Sequence, residues 1–132
     1  MIQKKIFGIK NDLGLDINAV KVLQRRYLLQ NEKGEVLETP LKLFRRVARA
    51  VAFIETKYGK KDDAKKIEDK FYEAMSRLEF LPNTPTLMNA GTKVGQLSAC
   101  FVIPVGDSLS EIFEAVKWTA IIHQSGGGTG FN

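Results

Sequence analysis

Apolar residues recur at intervals of three and four over most of the first eighty positions, the spacing that places side chains on one face of an α-helix. This pattern predicts three helices, over residues 16–30, 40–58 and 62–78. Asp16 is positioned to cap the first helix. Thr39 is positioned to cap the second, whose first turn begins with a proline.

The second and third predicted helices each carry a continuous apolar stripe, while charged residues occupy the opposite faces. The stripe residues are Leu41, Phe44, Val47, Val51, Ile54 and Tyr58 on the second helix and Ala64, Ile67, Phe71, Met75 and Leu78 on the third. Because amphipathic helices bury their apolar faces against each other, we expect these two to pack together.

A different pattern begins at Pro82 and Pro85, which remove backbone donors and end the helical spacing. An irregular loop is predicted from there to about Gly95. The segment "LSACFVIPV", residues 97–105, is then rich in β-branched and aromatic residues and predicts a strand. Alternation along it places Ser98, Cys100 and Val102 on one face and Leu97, Ala99, Phe101 and Ile103 on the other.

A last helix is predicted from "GDSLSEIFEAVKWTAIIHQ", in which Ser108 and Glu111 have the spacing of a capping box. The segment "SGGGTGFN" follows, with four glycines in five positions. Glycine has no side chain and loses the most conformational entropy on ordering. We therefore predict a loop that brings its backbone close to a ligand or leads into a further segment.

The composition is that of a soluble globular protein, with 132 residues of which 44% are hydrophobic and 27% charged. No apolar run approaches the ~20 residues of a membrane span, and lysines interrupt the start of the chain. We expect neither a membrane anchor nor a signal peptide. The single cysteine, Cys100, cannot form an internal disulfide, which fits a cytoplasmic location.

The net charge of +5, from 20 Lys and Arg against 15 Asp and Glu, permits nucleic-acid binding without requiring it. The basic residues are dispersed, and the chain has no zinc-finger, Walker or aromatic RNA-binding pattern. We therefore expect no nucleic-acid partner. A basic helical binding module stays open as an alternative, in which Cys100, Trp118 and His123 are packing residues and partners bind the amphipathic faces.

Three motifs, in order along the chain, carry a family resemblance: "PNTPTLMNAG" from residue 82, "LSACFVIPVGDSLSEIFEA" from residue 97 and "GGGTG" from residue 126. They resemble the start of the catalytic subunit of a ribonucleotide reductase, most closely the adenosylcobalamin-dependent (class II) type. The upstream segment "NAVKVLQRRYLLQNEKGEVLETPLKLFRRVARAVA" is similar to the helical region that precedes the barrel in those enzymes. The resemblance covers nearly the whole chain.

The resemblance implies an architecture and a division of the chain. The fold would be mostly α (α+β), with an N-terminal helical domain over residues 1–80 and the first strand of the family's ten-stranded α/β barrel after it. Residues 81–132 would form the start of that barrel. The barrel is incomplete in this chain, because the family's radical-bearing cysteine, its acid–base partners and the second redox cysteine lie on later strands.

The resemblance also assigns roles to individual residues. Cys100 corresponds to one of two cysteines that reduce the substrate as they close into a disulfide, and Ser98 to the serine beside it. Thr86 corresponds to a threonine that contacts the substrate phosphate, and Gly128 to a glycine whose amide approaches the substrate. The structural alternatives are a buried apolar cysteine, ordinary turn chemistry for Thr84 and Thr86, and a plain glycine linker.

Asp107, Ser108 and Leu109 correspond to the segment in which these enzymes bind the deoxynucleotide effector that selects the base to be reduced. Helix capping explains Ser108 equally well. The resemblance further implies adenosylcobalamin, bound mainly by the rest of the enzyme, and a dithiol or thioredoxin-type reductant. No metal site is expected in this chain. A class I catalytic subunit, which takes its radical from a separate metalloprotein, is the nearer alternative.

A companion polypeptide is also expected, because a single barrel strand needs partners along both edges. Among an expression fragment, an intein-interrupted piece and one half of a naturally split reductase, we favour the split enzyme. The complete particle would be an oligomer. It would bind a ribonucleotide and replace the ribose 2′-hydroxyl by hydrogen through a cysteine thiyl radical.

Overall fold

The structure, a computed structural model, describes residues 5–59 and 61–132, with side chains for 5–59 and 63–132. The chain divides into two compact units, Met1–Pro82 and Asn83–Asn132, which we call the first and second units. The elements in chain order are β1 (Lys5–Ile6), β2 (Ile9–Lys10), α1 (Ile17–Arg26), α2 (Pro40–Ala52), α3 (Glu55–Tyr58), α4 (Lys61–Ser76), α5 (Thr84–Asn89), β3 (Cys100–Ile103), α6 (Leu109–Gln124) and β4 (Gly128–Phe131).

The fold is mostly helical with a small strand content, as the hydrophobic pattern predicts. β1 pairs with β2 in an antiparallel sheet, and β3 pairs with β4 in a parallel one. Neither two-stranded sheet closes within the described residues, so the ten-stranded barrel stays a prediction. Of the helices that the structure describes, none is both long and apolar enough to cross a membrane.

Helix α1 is shorter than predicted, because it ends at Arg26. Asp16 caps it as predicted, and its carboxylate accepts hydrogen bonds from two first-turn amides at 2.7 and 2.9 Å. Beyond the helix the chain turns back, and the Leu37 amide donates to the Leu29 carbonyl (2.8 Å). The Asn31 side chain accepts from two backbone amides of this turn. Asparagine favours such turns because its side chain competes for backbone donors that a helix would use.

The second predicted helix is divided into α2 and α3 at residues 53–54. The Thr56 hydroxyl and amide both donate to the Phe53 carbonyl, at 2.7 and 3.1 Å. These i to i+3 bonds replace the α-helical pattern for one turn. Ile54 and Tyr58 consequently leave the buried face, and they are 44% and 84% exposed. The prediction that they extend the apolar stripe is wrong.

The core of the first unit lies where α2 packs against α4, as the two stripes predict. Helix α2 also begins as predicted, because Thr39 accepts from the Lys42 amide (3.3 Å) and a proline occupies the first turn. On α4, however, Phe71 is 41% exposed, so only part of its stripe is covered. Among the described residues, the buried apolar side chains of the unit are those of Ile9, Val20, Leu28, Pro40, Leu43, Phe44, Val47, Ala48, Ala52 and Met75.

A buried ion pair joins α2 to the hairpin that precedes it. Glu38, which is 8% exposed, accepts from Arg46 Nη2 at 2.8 Å and from Arg46 Nε at 3.1 Å. The same carboxylate accepts from the Leu29 amide at 3.0 Å. A bidentate arginine together with a backbone donor provides the hydrogen bonds that a buried carboxylate loses when it leaves water.

A second charged cluster connects α2 to α4. Arg45 lies 3.6 Å from the centre of the Tyr72 ring and donates to Asp69 (2.6 Å) and Glu68 (3.2 Å). Lys65 donates to the same two carboxylates. Hydrogen bonds from Arg45 and then Lys65 lower the pKa of Asp69. Burial raises the pKa of Glu68, but hydrogen bonds from Lys65 and Arg45 outweigh it and the pKa falls.

Candidate functional site

The second unit is organised around β3 and β4, which α6 connects in a single crossover. The strands pair in parallel, with Cys100 opposite Gly128 and Ile103 opposite Phe131. At the start of the pair, the Gly128 amide donates to the Ala99 carbonyl (2.7 Å). This register places the only cysteine of the chain beside a glycine.

Cys100 begins β3 with an exposed side chain. Burial alternates along the strand as predicted, because Val102 is 72% exposed whereas Ile103 is 7% exposed and Phe101 is half-buried. Ser98 is exposed as well, but it precedes the regular strand, so the alternation rule does not extend to it. Within this chain, Cys100 is therefore not a buried apolar packing residue.

The glycine-rich segment is not the loop that the sequence predicts, because its second half forms β4. Parallel pairing with β3 provides the backbone partners that an isolated run of glycines lacks. The pairing also engages the Gly128 amide, which donates to Ala99. The family resemblance assigns this amide to the substrate, whereas in the structure it belongs to the sheet.

The three consecutive glycines have different local requirements. Gly126 has a φ of +87°, a conformation that favours glycine. A Cβ on Gly127 would lie 2.7 Å from Ile122 Cγ2, which is too close. A Cβ on Gly128 would make an ordinary contact, 4.0 Å from the Cys100 sulfur. The fold thus requires the first two glycines, whereas the third leaves space beside the thiol without being needed for packing.

Helix α5 occupies part of the segment that the sequence predicts to be an irregular loop. Asn83 caps it by accepting from the Thr86 amide (2.9 Å). Pro85 lies in the first turn, where a missing amide proton leaves no helical bond unmade. The loop prediction is wrong here because a proline near a helix start has the same signature as a proline in a loop.

Two side chains of α5 bind the segment that precedes β3. The Thr86 hydroxyl donates to the Leu97 carbonyl (3.1 Å), and the Asn89 side-chain amide donates to the Gln96 carbonyl (2.9 Å). Because the Thr86 amide donates to Asn83, both donors of Thr86 are engaged within the chain. A ligand could therefore bind either donor only by displacing one of these bonds.

Ser108 and Glu111 form the predicted capping box at the start of α6. The Ser108 hydroxyl accepts from the Glu111 amide (3.3 Å) and donates to the Glu111 carboxylate (2.6 Å). This hydroxyl, followed by the Ser108 amide, lowers the pKa of Glu111. Ser108 is therefore occupied in capping, while Asp107 and Leu109 on either side of it are exposed.

Sequence reasoning missed the residues that join the parts of this unit. Gln96 lies within hydrogen-bonding distance of Ser125. His123 Nε2 lies 2.9 Å from Thr129 Oγ1 and connects α6 to β4. Single polar residues in no recurring pattern give no signal in one sequence, and only the parallel pairing of β3 with β4 brings these residues together.

An open cleft of about 580 Å³ lies beside β3 and α6. Its lining is mostly apolar and includes Trp118 and Ile122, with the carboxylates of Glu111 and Glu114. Across the part of the chain that the structure describes, no group of three or more His, Cys, Asp and Glu residues could hold a metal ion.

Comparisons with known proteins identify what this chain resembles. Residues 13–95 match the family described as "Ribonucleotide reductase, all-alpha domain". The chain is 42% identical over 184 residues to the vitamin B12-dependent ribonucleoside-diphosphate reductase of Thermoplasma acidophilum, a match that covers 98% of this chain and 24% of that protein.

Two further relatives extend the comparison. The protein of the same name from Mycobacterium tuberculosis is 42% identical over 128 residues, covering 97% of this chain and 18% of that protein. The ribonucleoside-diphosphate reductase large subunit of Trypanosoma brucei brucei is 35% identical over 134 residues, covering 98% of this chain and 15% of that protein. The chain spans at most 24% of the length of these three relatives.

Proposed function

Because this chain belongs to the ribonucleotide reductase family, we propose that it supplies one redox-active cysteine and part of the substrate site of a ribonucleotide reductase. The names of its relatives favour ribonucleoside diphosphates as substrates and a vitamin B12-dependent enzyme. The first unit is the helical domain in this proposal, corresponding to the predicted 1–80, and the second is the start of the catalytic barrel, corresponding to 81–132.

The reaction replaces the ribose 2′-hydroxyl by hydrogen. A thiyl radical on a cysteine outside this chain activates the sugar, and the hydroxyl leaves as water. Two thiols provide the two electrons as their S–H bonds break and one S–S bond forms. Cys100 is one of these two thiols, and an external dithiol or thioredoxin-type protein then reduces the disulfide.

The observation that carries this proposal is the exposed Cys100 thiol beside Gly128. A thiol that reduces a sugar must be accessible to it, and the glycine on the adjacent strand leaves room for close approach. A Cβ there would lie 4.0 Å from the sulfur, in the space that a substrate would occupy. We therefore assign Gly128 a role through its missing side chain rather than through its amide.

The remaining substrate contacts are assigned to Ser98 and Thr86. Ser98 is exposed two residues before the thiol, so its hydroxyl is available to a ribose. Thr86 would reach a phosphate only by exchanging its bond to Leu97 for one to the ligand, because its hydroxyl is the donor in both. The α5 region is thus proposed to adjust when substrate binds.

The effector site is assigned to Asp107, Ser108 and Leu109. Within this segment we propose that Asp107 and Leu109 contact the deoxynucleotide, because both are exposed. Ser108 would contribute by fixing the start of α6 through its bonds to Glu111.

Adenosylcobalamin is proposed as the radical source of the complete enzyme, and it supplies the initiating radical when bound. The residues that the structure describes do not form a site for it. The cleft beside α6 is apolar, open and only about 580 Å³. A corrin ring with its nucleotide tail is larger and requires many polar contacts, so we assign its binding to the remainder of the enzyme.

The proposal requires a partner that completes the barrel, and we favour a second polypeptide in an oligomeric particle. Support comes from the apolar side chains that the second unit leaves exposed, among them Val102 and Phe113 at 72% and 69%. If the chain alone and the chain mixed with that polypeptide gave the same native mass, this part of the proposal would be abandoned.

The function is tested by replacing Cys100 in the complete enzyme. We expect Cys100→Ala to abolish repeated turnover with a dithiol reductant while nucleotide affinity, measured by calorimetry, is unchanged. Ser110→Ala is the matched control, because it also removes a single side-chain heteroatom from an exposed residue of the same unit. Undiminished turnover by Cys100→Ala would remove the proposed role.

A further inference from the structure

The side chain of Gln96 contains an unexplained buried polar atom. Its Nε2 is buried and has no hydrogen-bond partner within the described residues. A buried donor without a partner is costly, so native proteins rarely retain one without a reason. This atom lies 3.1 Å from the position that a Cβ on Gly127 would occupy, so the carboxamide lies directly against the glycine turn.

The other end of the carboxamide lies against Ser125, where the hydrogen bonds compete. The Ser125 hydroxyl has one proton but two acceptors within reach, the Gln96 Oε1 and the Ile122 carbonyl oxygen at 2.7 Å. A half-turn of the carboxamide resolves the competition. The Gln96 amide then donates to the Ser125 oxygen, and the Ser125 proton goes to Ile122.

The same rotation accounts for the atom that faces Gly127. The amide oxygen would then replace the nitrogen there, 3.1 Å from the position of a Cβ and thus on the side of the glycine that carries one of its Cα hydrogens. An oxygen in that direction can accept a weak Cα–H···O contact, whereas an amide donor cannot use it. Glycine is required at 127 for the same reason, because a methyl group would displace the carboxamide and would also lie 2.7 Å from Ile122 Cγ2.

We propose that Gln96 is a positioning residue that holds the glycine turn against the start of β3. Its side chain bonds to Ser125 before the turn and contacts Gly127 within it. The next residue, Gly128, makes the first β4 bond to β3 and lies opposite Cys100. Gln96 thereby sets the position of Gly128 relative to the thiol. Its relevance to catalysis rests on the proposed function, but the positioning itself does not.

The backbone of Gln96 adds a second connection. Its carbonyl accepts from the Asn89 side chain of α5, and the carbonyl of the next residue accepts from Thr86. The residue pair 96–97 therefore joins the α5 region, proposed to contact phosphate, to the turn that positions Gly128. A substitution of Gln96 should therefore affect both the α5 region and the glycine turn.

Amide hydrogen exchange in the complete enzyme tests the positioning. We expect Gln96→Leu to lower the protection of the Gly128 amide by about five- to tenfold, the effect of losing one hydrogen bond. Protection in α2 of the first unit should not change. Gln124→Leu makes the same chemical change at an exposed position of α6 and is the matched control. Unchanged protection at Gly128 in Gln96→Leu would overturn the proposal.

Variants of Ser125 separate positioning from packing. Ser125→Ala should lower Gly128 protection about as much as Gln96→Leu, and the double variant should be little worse than either alone, because both remove one interaction. Ser125→Thr keeps the hydroxyl and should retain protection. Gln96 would only fill space if the double variant lost as much Gly128 protection as the two single variants together. The same would follow if Ser125→Ala and Ser125→Thr lost protection equally. If Gln96→Leu unfolds the second unit, comparing Ser125→Ala with Ser125→Thr still distinguishes a positioning role of Gln96 from a packing role.

Activity provides a separate readout in the complete enzyme. We expect Gln96→Leu to lower kcat at least fivefold with a smaller change in KM. If Cys100→Ala left turnover intact, the proposed function would fail while the exchange results on Gly128 could still stand. If Cys100→Ala abolished turnover and Gln96→Leu left both protection and kcat unchanged, only the positioning role would fail.

Discussion

In the first unit, Leu43 and Val47 of α2 are at most 2% exposed, whereas on α6 of the second unit Leu109 and Phe113 are 75% and 69% exposed. The first unit covers its main helix with α4 and fixes it with buried and partly buried ion pairs. Helix α6 buries only Ala115 among its large or apolar side chains. A helix that is apolar on several sides is typical of one surrounded by protein. The comparison shows one unit whose main helix is covered by its own core and one whose main helix leaves most of its apolar side chains exposed.

The largest expected effect breaks the first unit alone. Arg46→Met leaves the Glu38 carboxylate buried without its arginine, which should cost about 3–5 kcal/mol. Far-UV circular dichroism in urea should show the loss. Trp118, the only tryptophan, lies in the second unit, so its fluorescence transition should not shift. Arg49→Met is the control, because Arg49 is 71% exposed at 3.6 Å from Glu68 and should cost less than about 1 kcal/mol. Equal losses of stability in Arg46→Met and Arg49→Met would contradict the stabilising role of the buried ion pair.

The next effect is confined to the second unit. Gly127→Ala introduces a methyl group 2.7 Å from Ile122 Cγ2 and should cost about 1–3 kcal/mol. Gly128→Ala makes only ordinary contacts and should leave stability nearly unchanged while it lowers activity of the complete enzyme. The Trp118 fluorescence transition measures the stability difference. A Gly128→Ala variant as unstable as Gly127→Ala would show that the third glycine is structural.

A smaller effect concerns the end of α4. Leu78 has a φ of +59°, a conformation that is strained for leucine. Leu78→Gly should stabilise the first unit by up to about 1 kcal/mol, since it removes the strain and Leu78 is already 54% exposed. Leu81→Gly is the control, with a similar exposure of 52% and no positive φ. In urea unfolding, the free energy of unfolding should be higher for Leu78→Gly than for the native chain. For Leu81→Gly it should be equal to or lower than that of the native chain.

The smallest effect is a pH dependence of the first unit. The pKa of Asp69 is lowered by hydrogen bonds from Arg45 and Lys65, so the folded state binds its proton less readily than the unfolded chain does. The resulting stabilisation is complete above the ordinary aspartate range near pH ~4 and is lost as the pH falls through the lowered value. Asp69→Asn should therefore flatten stability against pH below that range. A slope identical to that of the native chain would contradict this.

The elements that the sequence predicts correctly are those with a local cause. Asp16, Thr39 and Ser108 cap their helices because short polar side chains satisfy amides within three residues. Alternation from Cys100 to Ile103 is likewise local, since successive residues of a strand face opposite sides. Alternation places Cys100 and Val102 on the same face without indicating which face is exposed, so only the family resemblance favours an accessible thiol over a buried one.

The elements that the sequence does not predict depend on residues distant in the chain, or on a single side chain that competes with the backbone for a hydrogen bond. The second half of the glycine-rich segment forms β4 only because β3 lies alongside it. The break between α2 and α3 depends on one hydroxyl, that of Thr56, taking a helical carbonyl. Gln96 and Ser125 are 29 residues apart and meet only in the folded unit. No pattern within a short stretch of sequence predicts these contacts.

The central claim is that Cys100 gives electrons to the sugar, and the most direct measurement is its oxidation state after one turnover. The complete enzyme is supplied with a ribonucleoside diphosphate and no external reductant, then alkylated and examined by peptide mass spectrometry. The account predicts one disulfide that contains Cys100 for each deoxyribonucleotide formed. Product formation with Cys100 still recovered as an alkylated thiol would contradict it.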